Sequence, residues 1–416
     1  MSGSPLNGHE NVSDASRTAD TGSGAQRAGG FLRVVRRELK RISGSPFFVV
    51  FVLIMPYPTF LVLSLAFLQP IPRDLPVVVC DMDHSTLSRQ ITRFMDASPA
   101  LWCMEEVPDM QAAAARVREG RAHAVIYLPQ MLEQDTLSGE ASPVTVFLNN
   151  QWLLTSGVIT RAVRDVVVAA SEKYDRMLYM AEGSDPPQAA WRAEPIRVDL
   201  HPLFNPGMNY RFFLLPAVLP VVLQMFIAMA AVRAVGMEFR ARTADAWLQA
   251  AGGSPALALL GKLAPYTLYW TALSWFMWVW LHRWFDVPIQ GSRLTLAAGT
   301  FLLVLAYQAV AVLFVALKGN LRLANSLAGF YCGPAFAFSG ITFPHLGMPW
   351  PARAWGLLLP ITHYLRVVNE QAFMGAPAEV SIKSLLALLL FTVIPGVWGY
   401  GKLRWLFRAP EKWGQL

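Results

Sequence analysis

Three places in this chain hold residue types able to do chemistry. The first is Asp81-Met82-Asp83, which closes the apolar run Val77-Val78-Val79-Cys80. A strand ended by Asp-x-Asp is an arrangement in which one carboxylate attacks phosphorus and the other moves a proton, with Mg²⁺ held between carboxylates. That phosphotransferase chemistry also needs a lysine and a downstream acidic pair, and no Gly-Asp-x-x-x-Asp follows in this region. The competing reading is a strand-end turn in which Asp83 or Ser85 caps the next helix. It accounts for the same residues without missing partners. The second place is Gly253…Gly261-Lys262. A phosphate loop requires Gly-x-x-x-x-Gly-Lys-Ser/Thr after a strand; here the spacing is wrong and Leu263 takes the hydroxyl position. No nucleotide site is legible, so ATP, if used, must be hydrolysed on another chain. The third is His345 with His363, which has no Cys or carboxylate at ligand spacing, so no metal site is expected. Cys80 and Cys103 fall on two expected strands and could pair in an oxidising compartment, but two buried thiols is the simpler reading. Cys332 reads as packing.

The elements that position these residues are set by where charge is missing. The chain has 416 residues, 54% hydrophobic and 15% charged, against about 25% charged for an ordinary globular chain. Disorder throughout is excluded, and three cysteines cannot make a disulfide scaffold. Six apolar stretches carry no Asp, Glu, Lys or Arg: Phe47–Pro72, Phe212–Val232, Leu263–Leu281, Leu294–Leu317, Leu323–Ala352 and Ser384–Gly401. About 20 apolar residues suffice for a helix to cross a hydrocarbon core of about 30 Å. The expected fold is therefore a polytopic α-helical membrane protein with six transmembrane helices. Ala354–Leu365 is too short to span and carries Pro360 and His363, so the region 344–375 is read as a re-entrant or interfacial outer segment. Phe47–Pro72 is too long, and too far from the start, for a secretory signal.

Orientation follows from Lys and Arg beside the spans. With the N-terminus in the cytoplasm, the cytoplasmic pieces hold 17 of them and the short outer loops hold five: Arg283, Arg293, Arg353, Arg366 and Lys383. Trp275, Trp278, Trp280 and Trp284 then crowd the outer end of the third span as an aromatic belt. Pro56, Pro58, Pro216, Pro220, Pro265, Pro334 and Pro395 fall inside spans, where each removes a helix hydrogen bond and tends to kink. Gln224 and Gln308 lie near the middles of the second and fourth spans. They are candidate polar groups on a pathway, but bonding between helices is the plainer role.

The remaining pieces are polar. Residues 1–30 are rich in Ser, Gly, Asn and Asp and are expected to be a disordered tail. In 31–46, Phe31, Leu32, Val35, Leu39 and Ile42 recur at helical spacing, with Arg33, Arg36, Arg37, Lys40 and Arg41 pointing elsewhere. This is a basic amphipathic helix suited to an anionic leaflet. Residues 73–210, between spans 1 and 2, form an expected small extracytoplasmic α/β domain. Its strands fall at Leu75–Cys80, Leu101–Glu106, Ala122–Leu128 and Val144–Leu148. Its helices fall at Leu87–Met95, Met110–Arg118, Met131–Leu137 and Leu154–Met180. Pro186, Pro187, Pro195 and Pro202 mark the return to the bilayer. Helices 2–6 occupy 211–402, with a charged loop at 234–258 and a cytoplasmic tail at 403–416. The net charge of +7 is not a nucleic-acid footprint. Residues 73–211 hold 13 Lys and Arg against 18 Asp and Glu, a net −5, and everything else is +12, split in sign across a membrane.

Several segments together resemble the permease subunit of ABC-2-type ABC transporters, in the class with a large domain between spans 1 and 2. Asp81-Met82-Asp83-His84-Ser85-Thr86-Leu87-Ser88-Arg89 is similar to the family's Asp-x-Asp-x-Ser-x-x-Ser-Arg. Phe204-Asn205-Pro206 resembles its Tyr/Phe-Asn-Pro entry to span 2. Leu260-Gly261-Lys262-Leu263-Ala264-Pro265-Tyr266 resembles its Leu-Gly-Lys-x-x-Pro-Tyr. Ser339-Gly340-Ile341-Thr342-Phe343-Pro344, Met348-Pro349 and Pro360-Ile361-Thr362-His363-Tyr364 resemble its Ser-Gly-x-x-Phe-Pro…Met-Pro…Pro-x-Thr-Tyr.

The resemblance implies an exporter of a hydrophobic or drug-like substrate in a bacterial inner membrane, with both termini cytoplasmic. It implies a dimer of permeases or related permeases and two copies of an ABC ATPase subunit, which carries the ATP and Mg²⁺. This chain itself binds no cofactor. A periplasmic adaptor is a further candidate partner; nucleic acid is not. Glu238, Arg240, Arg242, Thr243 and Trp247 fall where the family couples to its ATPase, presenting charge and an aromatic ring to the partner. Arg33, Arg36, Arg37 and Lys40 would lie at the inner leaflet. Pro344, Pro349, Pro360, Thr362 and Tyr364 would close the outer end. One departure stands out: the family reads Arg-Glu-x-Glu-x-Gly-Thr where this chain has Met237-Glu238-Phe239-Arg240-Ala241-Arg242-Thr243. Two other readings stay open: a non-transporting receptor or scaffold with an outer ligand sensor, and a membrane-anchored phosphotransferase using Asp81.

Overall fold

The computed structural model describes residues 15–68, 72–138, 142–181, 203–205, 209–318 and 320–414. The chain divides into two compact units, one of residues 1–68 with 210–416 and one of residues 69–209.

The smaller unit is a four-stranded sheet of β1 (Leu75–Asp81), β2 (Leu101–Glu106), β3 (Ala124–Leu128) and β4 (Thr145–Leu148), in the order β2-β1-β3-β4. β1 runs parallel to β2 and β3, and β4 is antiparallel to β3. The near-continuous apolar run of β1 is what a central parallel strand needs, since both of its faces are covered. Val77 and Val79 join Leu87, Ile91 and Met95 of α3 (Thr86–Asp96) and Val158, Ile159 and Val163 of α6 (Leu153–Ala181). Val78 and Cys80 pack on the opposite face with Ala113 of α4 (Met110–Arg118). A short α5 (Leu132–Leu137) precedes β4. The register sets Cys103 opposite Val77, and Cys80 packs on the other face from Val77. All three cysteines are free, and burial pushes the Cys103 thiol up to about 11.

The Asp81 turn has a structural task. One carboxylate oxygen accepts the Asp83 and His84 amides, both at 3.0 Å, and the other accepts the Ser88 hydroxyl at 2.7 Å. Ser85 caps α3 by accepting the Ser88 amide at 3.0 Å. Asp83 instead accepts the Glu133 amide at 3.1 Å, so of the two expected caps only Ser85 acts as one.

The larger unit is a helical bundle. α1 (Ala15–Gly44) is followed by a π-helical segment, Phe48–Ile54, and by α2 (Pro56–Ala66). Then come α7 (Tyr210–Arg240), α8 (Ala244–Ala250), α9 (Pro255–Trp284) and α10 (Arg293–Lys318). α11 (Leu321–Cys332), α12 (Ala335–Phe338), α13 (Trp350–Leu357), α14 (Pro360–Val368) and α15 (Ile382–Phe407) complete it. Four helices among the described residues are long and apolar enough to cross a membrane: Phe48–Ala66, Tyr210–Arg240, Arg293–Leu317 and Ala378–Phe407. Apolar side chains point outward from the bundle, as Leu294 at 80% and Leu268 at 75% exposure illustrate. Water would penalise that surface and a bilayer would not. The chain is a polytopic helical membrane protein.

Several expectations need correction. α9 has the length of a span but is not one of the four; Lys262, Tyr266, Tyr269 and five tryptophans put polar N–H and O–H groups among its leucines. Leu323–Ala352 is not one helix. α11 has 12 residues, about 18 Å, and ends at Gly333-Pro334 because proline lacks the N–H that would continue the ladder. The first span stops at Ala66 rather than Pro72. Helix begins at Ala15, inside the tail expected to be disordered; once nucleated by the packed part of α1, extension needs only one hydrogen bond per added residue. At the other end α15 runs to Phe407, past the expected boundary at 402. Residues 1–14, the returning prolines Pro186, Pro187, Pro195 and Pro202, and Pro206–Met208 of the span-2 entry lie outside the described residues.

Asp81→Ala leaves the Asp83 and His84 amides without their carboxylate acceptor, while the Ser88 hydroxyl keeps the Ser85 carbonyl at 3.2 Å, a cost of about 2–3 kcal/mol. Hydrogen exchange on the full chain is expected to quicken roughly a hundredfold through β1 and α3. Unchanged protection there would contradict the turn's structural role.

Candidate functional site

The densest polar cluster lies where three helices meet, and its centre is Glu238, near the end of α7 and fully buried. Arg37 of α1 grips it with two parallel bonds, Nη1 to Oε1 at 2.8 Å and Nη2 to Oε2 at 2.9 Å. Arg41, one helical turn further on, donates to Oε1 at 2.5 Å. Lys262 near the start of α9 donates to the same oxygen at 2.8 Å, and the Thr243 hydroxyl donates to Oε2 at 2.5 Å. Lys262, itself fully buried, also donates to Glu38 of α1. The Tyr266 hydroxyl donates to the other Glu38 oxygen at 2.8 Å. Two carboxylates and three cations thus share one enclosed site, a net charge of +1.

Local sequence explains how each residue arrives. Glu38 and Ile42 follow Val34 at i+4 and i+8, and these three residues form the buried face of α1. Helical geometry stacks such positions on one side. Leu32 and Leu39, expected on the apolar face, are 63% and 53% exposed. Arg33, Arg36 and Lys40 are exposed as expected, but Arg37 turns inward to Glu238. The close seat of α1 on α9 depends on Gly261, where a Cβ would meet Val34 Cβ at 2.9 Å and the Phe31 carbonyl at 3.1 Å. That approach is what brings Lys262 to Glu38. Ser254 caps α9, accepting the Leu257 amide at 3.4 Å.

The turn after Glu238 departs from expectation in one respect. Trp247 of α8 is fully buried, not offered outward. Its indole donates to the Ala258 carbonyl at 3.0 Å, and the Lys262 ammonium sits 5.1 Å from its ring centre. A short helix squeezed between two long ones buries its one large ring because that closes the core beneath it. Arg240, Arg242, Asp245 and Gln249 form the exposed face. Arg242 has φ of +55°, the left-handed region. This is the position where the family pattern carries glycine, for which that backbone is free of Cβ strain.

Three contributors escaped the sequence reading. Glu38 is the lone carboxylate among the five cations of residues 31–46, and that solitude is the signal available in the sequence. Lys262 stands in the sequence as part of a failed phosphate loop and of the Leu-Gly-Lys-x-x-Pro-Tyr resemblance, neither of which indicates a buried ion pair. Trp413 gave no signal: it is buried in the C-terminal tail near Phe239, with ring centres 6.1 Å apart, and the Gly414 amide donates to the Phe239 carbonyl at 3.0 Å.

The other expected site residues lie elsewhere. Tyr364 is buried, its hydroxyl accepting from the Trp278 indole at 2.8 Å and lying 3.1 Å from the Thr300 hydroxyl. Thr362 is buried and donates to the Gly356 carbonyl at 2.6 Å, and Pro360 begins α14 beside it. Pro344 and Pro349 are exposed. Gln224 bonds the Cys332 carbonyl at 3.4 Å, and Gln308 accepts the Thr267 hydroxyl at 2.7 Å, so each ties two helices together. No group of His, Cys, Asp and Glu suited to a metal occurs among the described residues.

The buried cluster predicts a charge-swap rescue. Glu38→Lys alone places four cations about Glu238 and costs about 3–5 kcal/mol, read as lost thermal stability in detergent. Adding Lys262→Glu is expected to recover at least half of it; no recovery would refute the pairing. Arg242→Gly is expected to raise stability by about 1 kcal/mol through relief of the left-handed backbone, whereas Arg242→Val lowers it.

Compared with known families, residues 46–399 match the model described as ABC-2 family transporter protein. Comparison with curated protein sequences gave no match.

Proposed function

This chain belongs to the ABC-2 family of transporters, and from that membership we propose that it is the permease subunit of an exporter driven by a separate ATPase. The substrate class is hydrophobic or drug-like, taken from the cytoplasm or the inner leaflet. The permease pairs with a second copy or a paralogue, and each docks one ATPase. Both termini lie in the cytoplasm of a bacterial cell, because 17 Lys and Arg beside the spans then face inward and five face outward. The sheet-bearing unit lies outside the membrane, where it is free to meet a periplasmic adaptor. The region 344–375, with α13 and α14, is the re-entrant outer segment, and α9 and the broken α11–α12 complete six membrane passages.

One observation carries this reading. The exposed face of the turn from α7 into α8, with Arg240, Arg242 and Asp245, adjoins the buried joint of Glu238, Glu38 and Lys262, to which the Thr243 hydroxyl of that turn is bonded at 2.5 Å. An ATPase that pushes on this face displaces α8, and the joint passes the load to α1, α7 and α9 together. Separating buried partners costs several kcal/mol, so the helices follow rather than let the charges part. Arg240 and Arg242 give the face a cationic character that suits an acidic groove on the ATPase.

Arg240→Glu with Arg242→Glu is expected to abolish co-purification of the cognate ATPase at low salt and ATP-driven efflux from vesicles, while the permease still folds. Undiminished ATPase capture would overturn the docking assignment. A chain that captures no ATPase in any form would favour a receptor or scaffold.

A further inference from the structure

A groove of about 850 Å³ runs along the outside of the bundle between α9, α10 and α15. Its α9 wall repeats at three to four residues, from Ala256 through Ala264 and Thr267 to Trp275, the spacing of one helix face. Small residues make it concave: Ala264, Ala272, Ala309 and Gly396 all line it. Gly396 is close enough to Ala309 that a Cβ there would lie 3.7 Å from the alanine methyl. The rim is apolar and faces outward, with Leu268 75% and Val397 66% exposed. Within the bundle's outward surface, such a groove opens to hydrocarbon rather than water.

Two of the residues lining this apolar groove are polar, buried and incompletely bonded. Gln308 is 3% exposed; its carbonyl oxygen accepts from Thr267, but its amide nitrogen has no partner. Thr271 is 5% exposed and its hydroxyl has no partner. An unpaired buried polar group costs about 1–3 kcal/mol, and lipid tails cannot supply the missing bonds. Thr267, Gln308 and Thr271 sit at mid-height. Thr267 is 12 residues above the start of α9 and Gln308 is 10 residues from the end of α10, about 15–18 Å from the basic end of the bundle. The ester carbonyls of a phospholipid lie nearer the interface than that, so its acyl chain would leave both groups unsatisfied.

We propose that this groove is a lateral binding site for a neutral, membrane-dissolved small molecule whose apolar body carries a hydrogen-bond acceptor such as a ketone carbonyl. The amide nitrogen of Gln308 donates to the acceptor, and the Thr271 hydroxyl supplies a second bond. The volume fits a drug-sized ligand. The proposal rests on the export reading only for what happens to the molecule next; binding itself needs this chain alone.

Benzophenone is the probe: neutral, apolar, with one carbonyl, and on illumination it inserts into nearby C–H bonds. The full chain in lipid nanodiscs is illuminated with it and mapped by mass spectrometry. Labelling is expected to concentrate on peptides from 259–275, 305–312 and 392–400. Gln308→Leu with Thr271→Val is expected to reduce it about fivefold, with thermal stability of the variant in nanodiscs measured alongside because the Thr267–Gln308 bond between α9 and α10 is lost. Ala272→Phe fills the groove from an exposed position and is expected to abolish labelling there without lowering thermal stability. Equal labelling of every outward helix face, indifferent to these variants, would overturn the proposal. So would a photoreactive acyl-chain phospholipid that marks the groove and is not displaced by excess benzophenone, since the groove would then be a lipid seat. Retained labelling with no ATP-driven efflux would sink the export reading and leave the site standing.

Discussion

A carboxylate with no access to water, at the end of a long apolar helix, is the constraint around which the bundle is organised. Glu238 must be matched by cations brought from elsewhere in the chain, because an isolated buried charge is far costlier than any single contact it could displace. The cations come from two other helices: Arg37 and Arg41 from α1, and Lys262 from α9. Lys262 in turn commits Glu38, and Gly261 supplies the close approach that makes the pairing reachable. The cluster contributes definition more than net stability, since an apolar replacement of equal volume would hold together as well or better. What it specifies is that three helix ends keep one relative position, with Trp247 wedged beneath the Lys262 ammonium.

This arrangement changes what the neighbouring charges mean. The cationic face of the amphipathic helix is divided between two tasks, with Arg37 and Arg41 turned into the joint and Arg33, Arg36 and Lys40 left exposed. The family resemblance places Glu238 at a coupling position, and because it is fully buried it would act, under the proposed function, by carrying load and not by touching a partner. The exposed Arg240, Arg242 and Asp245 are the groups a partner would meet. Arg242 holds a left-handed backbone that glycine would adopt without strain. The cost is local, and the side chain gained is a cation on an exposed face.

Polar groups away from this joint sort by whether they are fully bonded. Asp81 accepts three bonds from its own turn, so the Asp-x-Asp that resembles a nucleophile motif is occupied in shaping a strand end. Tyr364 and Thr362 are bonded within the bundle and hold α14 against its neighbours. Gln308 and Thr271 stand apart because each keeps an unpartnered atom while lining an apolar groove.

Sequence alone determined the features that depend on one helix or strand at a time. The charge-free stretches announced the long apolar helices, since crossing hydrocarbon requires length and apolarity and little else. The period-two and period-3.6 patterns of 75–181 placed the four strands and their helices within two residues of where they lie, because each element buries one face against its neighbours. Sequence also showed the basic helix, and through resemblance the family. It did not show that Leu323–Ala352 breaks, because hydropathy sums over Gly333-Pro334 without registering the lost hydrogen bond. Nor did it show that Trp247 points inward, that Glu38 pairs with Lys262 across 224 positions, or that Thr271 and Gln308 share a groove. Those facts concern which faces of separate helices meet. Only the tertiary structure decides them, because a buried charge or a half-bonded amide is defined by the partners that packing brings to it.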